Sequence, residues 1–143
     1  MRVLLIHADH FGYEIKEPTK LAEELPPGHA KKHSFKEALV VFSTIESSDD
    51  NVAAISEAAA TDIAEVFAQV KAQRIILYPY AHLSPKLAPK KLAIEVLKAA
   101  DVALTAKGIE VHRAAFGWYK AFEIRCQGHP LSGLCREITP ENK

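Results

Sequence analysis

Cysteine is scarce in this chain: only Cys126 and Cys135 occur, nine positions apart. That spacing matches no zinc motif, and two thiols build no disulfide framework, so both are read as reduced. Excess charge is missing too. Eighteen Lys and Arg face eighteen Asp and Glu, for a formal net charge of zero. A protein that grips nucleic acid along an extended basic face is excluded. Recognition of a single nucleotide end is not, because it needs few phosphate contacts. MRVLLIHADH opens with too short an apolar run for a signal peptide, and no stretch reaches membrane-spanning length. The expectation is a cytoplasmic chain with no membrane partner. A Gly-rich phosphate loop, G-x-S-x-G and H-E-x-x-H are all absent, as are internal repeats and low-complexity segments.

What is present fits one domain. The 143 residues are 48% apolar and 25% charged, the mix of a folded domain with a real core. RVLLIH (2–7) and ALVVFSTI (38–45) read as buried strands, and the polar stretch 8–35 between them as a long connection with a partial strand at YEIK. Val52, Ile55, Ala59, Ile63, Val66 and Val70 recur at helical spacing and predict an amphipathic helix over 52–72. RIILY (74–78) is a strand. Ser84-Pro85 reads as an N-cap with proline at the first helical position, with Pro89 marking an irregular turn or restart; Gly108 ends that second helix. IEVHRAA (109–115) and YKAFEIRC (119–126) read as an antiparallel hairpin turning at GW, and QGHPLSGLCREI as a loop and short helix. The fold class expected is α/β, a mixed sheet of five or six strands with two long helices on one or both faces. The polar end ITPENK suits either a natural terminus or a linker cut from a longer protein.

Two positions carry candidate chemistry. In YKAFEIRC, alternation puts Lys120 with Phe122, Ile124 and Cys126, the one charged member of an apolar face. A buried ammonium needs a partner, a cleft or a shifted pKa; a lysine snorkelling from a strand end is the plainer alternative. His82 follows a strand and precedes a helix start, where α/β sheets collect ligands; a histidine capping local backbone is the competing reading. HADH places His7, Asp9 and His10 within four residues, with His29 and His33 downstream. The loop offers no fixed ligand spacing, so no metal site is expected. Tyr78, Tyr80, Phe116, Trp118 and Tyr119 gather near the two turns, where rings can stack on a base or pack a core.

MRVLLIHADHFGYE, YPYAHLSPKLA, AAFGWYKAFEI and GHPLSGLCREI, taken in order, resemble the N-terminal editing domain of archaeal threonyl-tRNA synthetases. The resemblance covers nearly the whole chain and implies a D-aminoacyl-tRNA deacylase-like fold, with residues 1–143 a single editing domain at the N-terminal part of a longer synthetase. It implies a homodimer that hydrolyses the ester of mischarged L-seryl-tRNA(Thr), spares L-threonyl-tRNA(Thr), meets the serine-bearing acceptor end of tRNA(Thr), and uses no metal or cofactor. Carried over, Lys120 would hold or polarise the attacking water and His82 would sit beside the ester. Pro79, Tyr80, Ala81, Phe116, Gly117 and Tyr119 would line the substrate pocket, and Ile45 would lie near the adenine. The chain departs from the pattern at Gly133, where glutamate is common, and at Ala115, where proline is common. It lacks the Ser-Gln-Phe and Gly-Pro signatures of the bacterial and eukaryotic D-aminoacyl-tRNA deacylases. The alternatives are a D-aminoacyl-tRNA deacylase of broad scope and a non-catalytic tRNA-docking or dimerisation module.

Overall fold

The computed structural model describes residues 1–140; Glu141–Lys143, the end of ITPENK, lie outside the described residues. The elements run β1 (Arg2–Pro18), β2 (Lys32–Thr44), α1 (Val52–Val70), β3 (Arg74–Pro79), α2 (Lys90–Thr105), β4 (Val111–Arg113), β5 (Trp118–Cys126) and β6 (Gly133–Glu137). The strands make one sheet in the order β4-β3-β2-β1-β5, with β6 also paired to β1. The helical crossovers make β2, β3 and β4 parallel, as expected, while β1 is antiparallel to β2, β5 and β6. The chain is thus α/β with a mixed sheet and two long helices.

Both helices lie on one face of the sheet. Asn51 caps α1 by accepting from the Ala54 N–H at 3.1 Å. Ile55, Ala59, Ile63 and Val66 of α1 and Val96, Leu97, Ala100 and Leu104 of α2 pack on Val3, Leu5, Leu39, Val41, Ile75 and Leu77. Each large side chain buried here contributes about 1.5–3 kcal/mol. Alternation sends Ala8, Ala38, Val40, Phe42, Ile76 and Tyr78 to the opposite face, into a second cluster with Phe11, Tyr13 and Ile15. Among the described residues no helix is long and apolar enough to cross a membrane.

That second cluster corrects the expected long connection at 8–35. β1 continues through Pro18 and β2 begins at Lys32. Even-numbered Ala8 and odd-numbered Phe11, Tyr13 and Ile15 enter the same cluster, so β1 changes parity near Asp9, where a bulge shifts its register against β5. β2 does the same: Ala38, Val40 and Phe42 share the cluster with Phe35, and Glu37 between them has φ of 51°. The β1–β2 register is unbroken on both sides of this point, so the two strands bend together. The bend is large. Phe11 pairs with Phe35 and Phe42 with Leu4, positions ~23 Å apart along a straight strand. Yet the Phe11 and Phe42 rings are 6.1 Å apart. The outer half of the β1–β2 hairpin, with β5 on its edge, folds back over the sheet face that the helices leave open.

Glu37 holds the bend. Its carboxylate meets His7 Nε2 at 2.6 Å and accepts from Gln127 Nε2 at 2.8 Å, and its carbonyl accepts from the Gln73 N–H at 3.2 Å. His7 is buried and its Nδ1 lies 2.7 Å from His129 Nε2. His129 Nδ1 accepts from the Leu131 N–H at 3.2 Å. With neutral rings, one proton order satisfies the whole chain: His129 donates to His7, which donates to Glu37.

Three other expectations change. β4 and β5 are not a hairpin: β4 closes the edge beyond β3 and β5 pairs with β1. The turn between them crosses the molecule because residues 19–23 pin it, as shown below. The expected terminal short helix is β6, which takes the first half of β1's edge, Arg2–Ile6, where β5 stops. The second helix starts at Lys90, at the Pro89 restart and not at the Ser84-Pro85 cap. Ser84 Oγ is engaged with Glu46 at 2.6 Å and with the Lys86 N–H at 3.1 Å. Backbone bonds from Ser47 to Lys86 and from Ala88 to Ile45 hold residues 86–88 extended.

Two stability tests follow. Glu37→Val places a β-branched residue at a left-handed φ and strands the His7 and Gln127 donors; urea unfolding should show a loss of about 2–4 kcal/mol, against about 1 kcal/mol for Glu37→Gln. His112, whose Nε2 lies 2.5 Å from Tyr13 OH, is pushed down to about 4 by burial, then by His33, His29 and Arg113. Its folded value lies below the unfolded one, so the unfolded chain binds the proton first as pH falls. The urea midpoint should therefore drop between about pH 6.5 and 4, and His112→Gln should flatten that dependence.

Candidate active site

Pro79 ends β3, and the next four residues are braced against the exit of β2. The Tyr80 N–H donates to Ser43 O at 2.8 Å. The Thr44 hydroxyl donates to Tyr80 O and accepts from the Leu83 N–H. One turn later Ser84 is tied to Glu46, whose other oxygen meets the Met1 amine at 3.1 Å, while Asp49 takes the same amine at 2.8 Å. The segment is rigid although Ala81 and His82 are exposed. The His82 ring stands edge-on to Tyr80 at 4.9 Å.

The second turn, Phe116–Trp118, is equally constrained. Gly117 has φ of 79°, and a Cβ there would lie 2.4 Å from Leu21 O, so no side chain fits. Thr19 donates to Gly117 O from its N–H at 3.0 Å. Glu23 accepts from the Phe116 N–H at 2.7 Å, and the Trp118 indole N–H donates to Glu23 O at 2.8 Å. Arg113 grips the Glu23 carboxylate with both terminal nitrogens, at 2.7 and 3.1 Å. Burial works to raise the Glu23 carboxyl, but the Arg113 bonds, the Phe116 N–H and the charges of Arg113 and Lys98 together hold it below its ordinary value.

Lys120 leaves this turn on the inner face, as the strand pattern predicts. Its Nζ donates to Trp118 O at 3.3 Å and lies 5.0 Å from the centre of the Tyr78 ring. Burial pushes the amine down to about 8, against the raising pull of Glu23. Burial, then Tyr80, pushes the Tyr78 phenol up, so it stays neutral. Lys120 and His82 are joined by a row of rings: Tyr78 to Phe42 at 5.3 Å, Phe42 to Tyr80 at 5.3 Å, then Tyr80 to His82.

The other expected residues stand outside that row of rings. Tyr119 is 65% exposed, on the opposite side of β5 from Lys120. Ile45 is buried in the helix-side cluster and Phe116 packs against it; their side chains are not in the ring row. Gly133 begins β6, and a Cβ there would meet nothing within 4 Å. HADH is divided among three partners: His7 with Glu37, Asp9 with Arg125, His10 with Glu123. An open groove of about 420 Å³ lies elsewhere, on the outer side of the folded-back arm, lined in part by His10, Gly12, Ser34, Ala121 and Glu123. Glu23 and Arg113 were not foreseen. They lie 90 positions apart in sequence, and a lone glutamate in a polar segment carries no pattern.

The chemistry available is an amine able to lose its proton near neutral pH, an exposed imidazole, and a rigid turn between them. Residues 1–138 match the family described as the archaea-specific editing domain of threonyl-tRNA synthetase. The chain is 50% identical over 142 residues to a threonine–tRNA ligase of Methanopyrus kandleri, covering 99% of this chain and 22% of that protein. It is 49% identical to one of Methanobrevibacter smithii, covering 99% and 23%, and 50% identical to one of Methanothrix thermoacetophila, covering 96% and 22%. The chain thus spans less than a quarter of the length of these relatives. The chain, with its mixed sheet and two helices, belongs to the archaea-specific editing-domain family of threonyl-tRNA synthetase.

Proposed function

We propose that this domain proofreads by hydrolysing the ester of L-seryl-tRNA(Thr) while sparing L-threonyl-tRNA(Thr). The observation that carries the reading is the half-buried Lys120 amine, titrating near 8 beside a ring-lined turn, in a member of an editing-domain family. Serine lacks one methyl of threonine, and a pocket built for the larger residue rejects the smaller by only ~1–3 kcal/mol. A second site too narrow for the branched side chain restores accuracy. The Tyr78–His82 turn, braced by Thr44 and Ser84, is stiff enough to be such a wall, with Pro79, Tyr80 and Ala81 facing the amino acid. Phe116, Gly117 and Ile45 act by placing the two turns, and Tyr119 stands at the rim.

An aminoacyl ester is already activated, so the site needs to position water and stabilise an oxyanion. The free amine of Lys120 accepts a hydrogen bond from water and aims it at the ester carbonyl; His82 holds the ester end, and a hydroxyl of the terminal adenosine assists. No cofactor enters this scheme. The partners are the acceptor end of tRNA(Thr), a second copy of the domain, and the remainder of a synthetase, all in the cytoplasm where translation runs. One observation favours a second reading. The space beside Gly133 is open, so the missing glutamate leaves room unfilled, as in a module that binds the tRNA end without turnover. A broad D-aminoacyl-tRNA deacylase is the third.

Lys120→Met should lower hydrolysis of L-seryl-tRNA(Thr) by at least about 100-fold with an unchanged melting temperature; full activity would refute the amine's role. His82→Ala should lose less. Wild-type rate, corrected for the Lys120→Met background, should rise with pH through about 8, because only the deprotonated amine accepts from water. Side-by-side hydrolysis of L-seryl-, L-threonyl- and D-aminoacyl-tRNA separates the readings: selectivity for the first supports proofreading. Comparable D-aminoacyl hydrolysis supports the broad deacylase, and tight binding of a seryl-adenosine mimic without turnover supports the docking module.

A further inference from the structure

The proposed reaction explains Lys120 but not the ion pair beside it. Glu23 comes from the connection between β1 and β2, and Arg113 is the last residue of β4. Nothing in the reaction requires either, yet Glu23 is the charged group that acts on the amine. Both carboxylate oxygens of Glu23 are taken by Arg113, one of them shared with the Phe116 N–H. The Glu23 backbone closes the contact in both directions, donating to Phe116 O at 3.0 Å and accepting from the Trp118 indole. Trp118 O in turn receives the Lys120 amine. Lys90, at the start of α2, donates to Ala22 O at 3.1 Å and fixes the segment from the helix side. The turn that carries Lys120 is thus held by Glu23 at three points, two on the Phe116 backbone and one on the Trp118 indole.

The electrostatics follow from the same geometry. Glu23 is the carboxylate that acts on Lys120. Its charge favours the ammonium form. Arg113 bonds both of its oxygens and so opposes that pull, which still raises the amine. The other groups around Lys120 add no opposing charge: Tyr78 of β3 is neutral, Ile15 opposite on β1 is apolar, and Lys98 of α2 acts on Glu23. We propose that the Glu23–Arg113 pair is the positioning device for Lys120, fixing its backbone through Phe116 and Trp118 and setting how readily it gives up its proton. The role rests on Lys120 being the working amine of the proposed hydrolysis.

The two partners then have opposite electrostatic effects although their loss is the same structural injury. Glu23→Gln removes the anion and keeps an acceptor for the Phe116 N–H and for Arg113. Arg113→Gln leaves the anion unshielded. The test is a titration of Lys120 in protein carrying lysine labelled with ¹³C at Cε, its resonance identified by its loss in Lys120→Met. Relative to a wild-type midpoint near 8, Glu23→Gln should move the midpoint down by about 0.5–1 unit and Arg113→Gln up by about as much. Arg113→Lys, which keeps the charge, should return it toward wild type. Displacement of both variants in one direction, or no displacement in either, overturns the proposal, because a purely structural clamp predicts no opposition of sign. If Glu23→Gln does not fold, Arg113→Gln and Arg113→Lys still decide: an upward shift reversed by lysine supports the device, and no shift sinks it. Failure of the hydrolysis reading is seen separately, as unchanged deacylation by Lys120→Met alongside opposed titration shifts.

Discussion

One backbone bend, at Glu37 and Asp9, is the constraint on which the rest of the molecule depends. Glu37 occupies a left-handed conformation that glutamate seldom adopts. Its carboxylate is held by His7 and Gln127 and its carbonyl by Gln73, so the surroundings over-determine the strained residue. Because the β1–β2 register is the same on both sides of the bend, both strands turn as a unit and take β5 with them. The sheet face left free by the helices is covered by the chain's own outer arm, and the apolar side chains of that arm reverse parity to meet it.

The candidate site is a by-product of this closure. Lys120 is level with Ile15 in the ladder, and Tyr78 is level with Phe42. On a flat sheet they would be far apart, yet the amine sits 5.0 Å from the Tyr78 ring centre. Burial beneath the folded arm brings the amine toward neutrality, and its bond to Trp118 O ties it to the clamped turn at Phe116–Trp118. Braced on the other side by Thr44, Glu46 and Ser84, the His82 turn is fixed to the same framework. The His82 turn is tied by hydrogen bonds to the end of β2, and the Phe116–Trp118 turn to residues 19–23 of the β1–β2 connection.

Where one period governed a segment, the sequence could be read. The stripes of α1 and α2 repeat at 3.6 residues, and β3 is a short apolar run between two helices, so these and the parallel order came through. Lys120 was visible as the charged member of an alternating face, and it is on that face. β1 was cut short because the polar residues, prolines and lysines of 8–35 read as a connection, although Phe11, Tyr13 and Ile15 keep the odd-numbered alternation of Val3 and Leu5 and are all buried, now on the other face of the sheet. The supposed hairpin at GW failed for a different reason. Gly117 does turn, but the contacts that choose its direction come from Thr19, Leu21 and Glu23, nearly a hundred residues earlier. Ser84-Pro85 carried a helix-start signal whose hydroxyl a distant glutamate had claimed. Local signals were sound, and the misreadings came from long-range partners that alternation and propensity do not encode.

The central claim is that the bend carries the Lys120 amine over Tyr78, and it can be measured without substrate. In protein labelled for side-chain NMR, nuclear Overhauser contacts should link the Lys120 ε-methylene to the Tyr78 ring and the Phe11 ring to Phe42. Absence of both contacts in the folded protein, with Phe11 seeing Phe35 alone, would mean an unbent hairpin and would contradict the account.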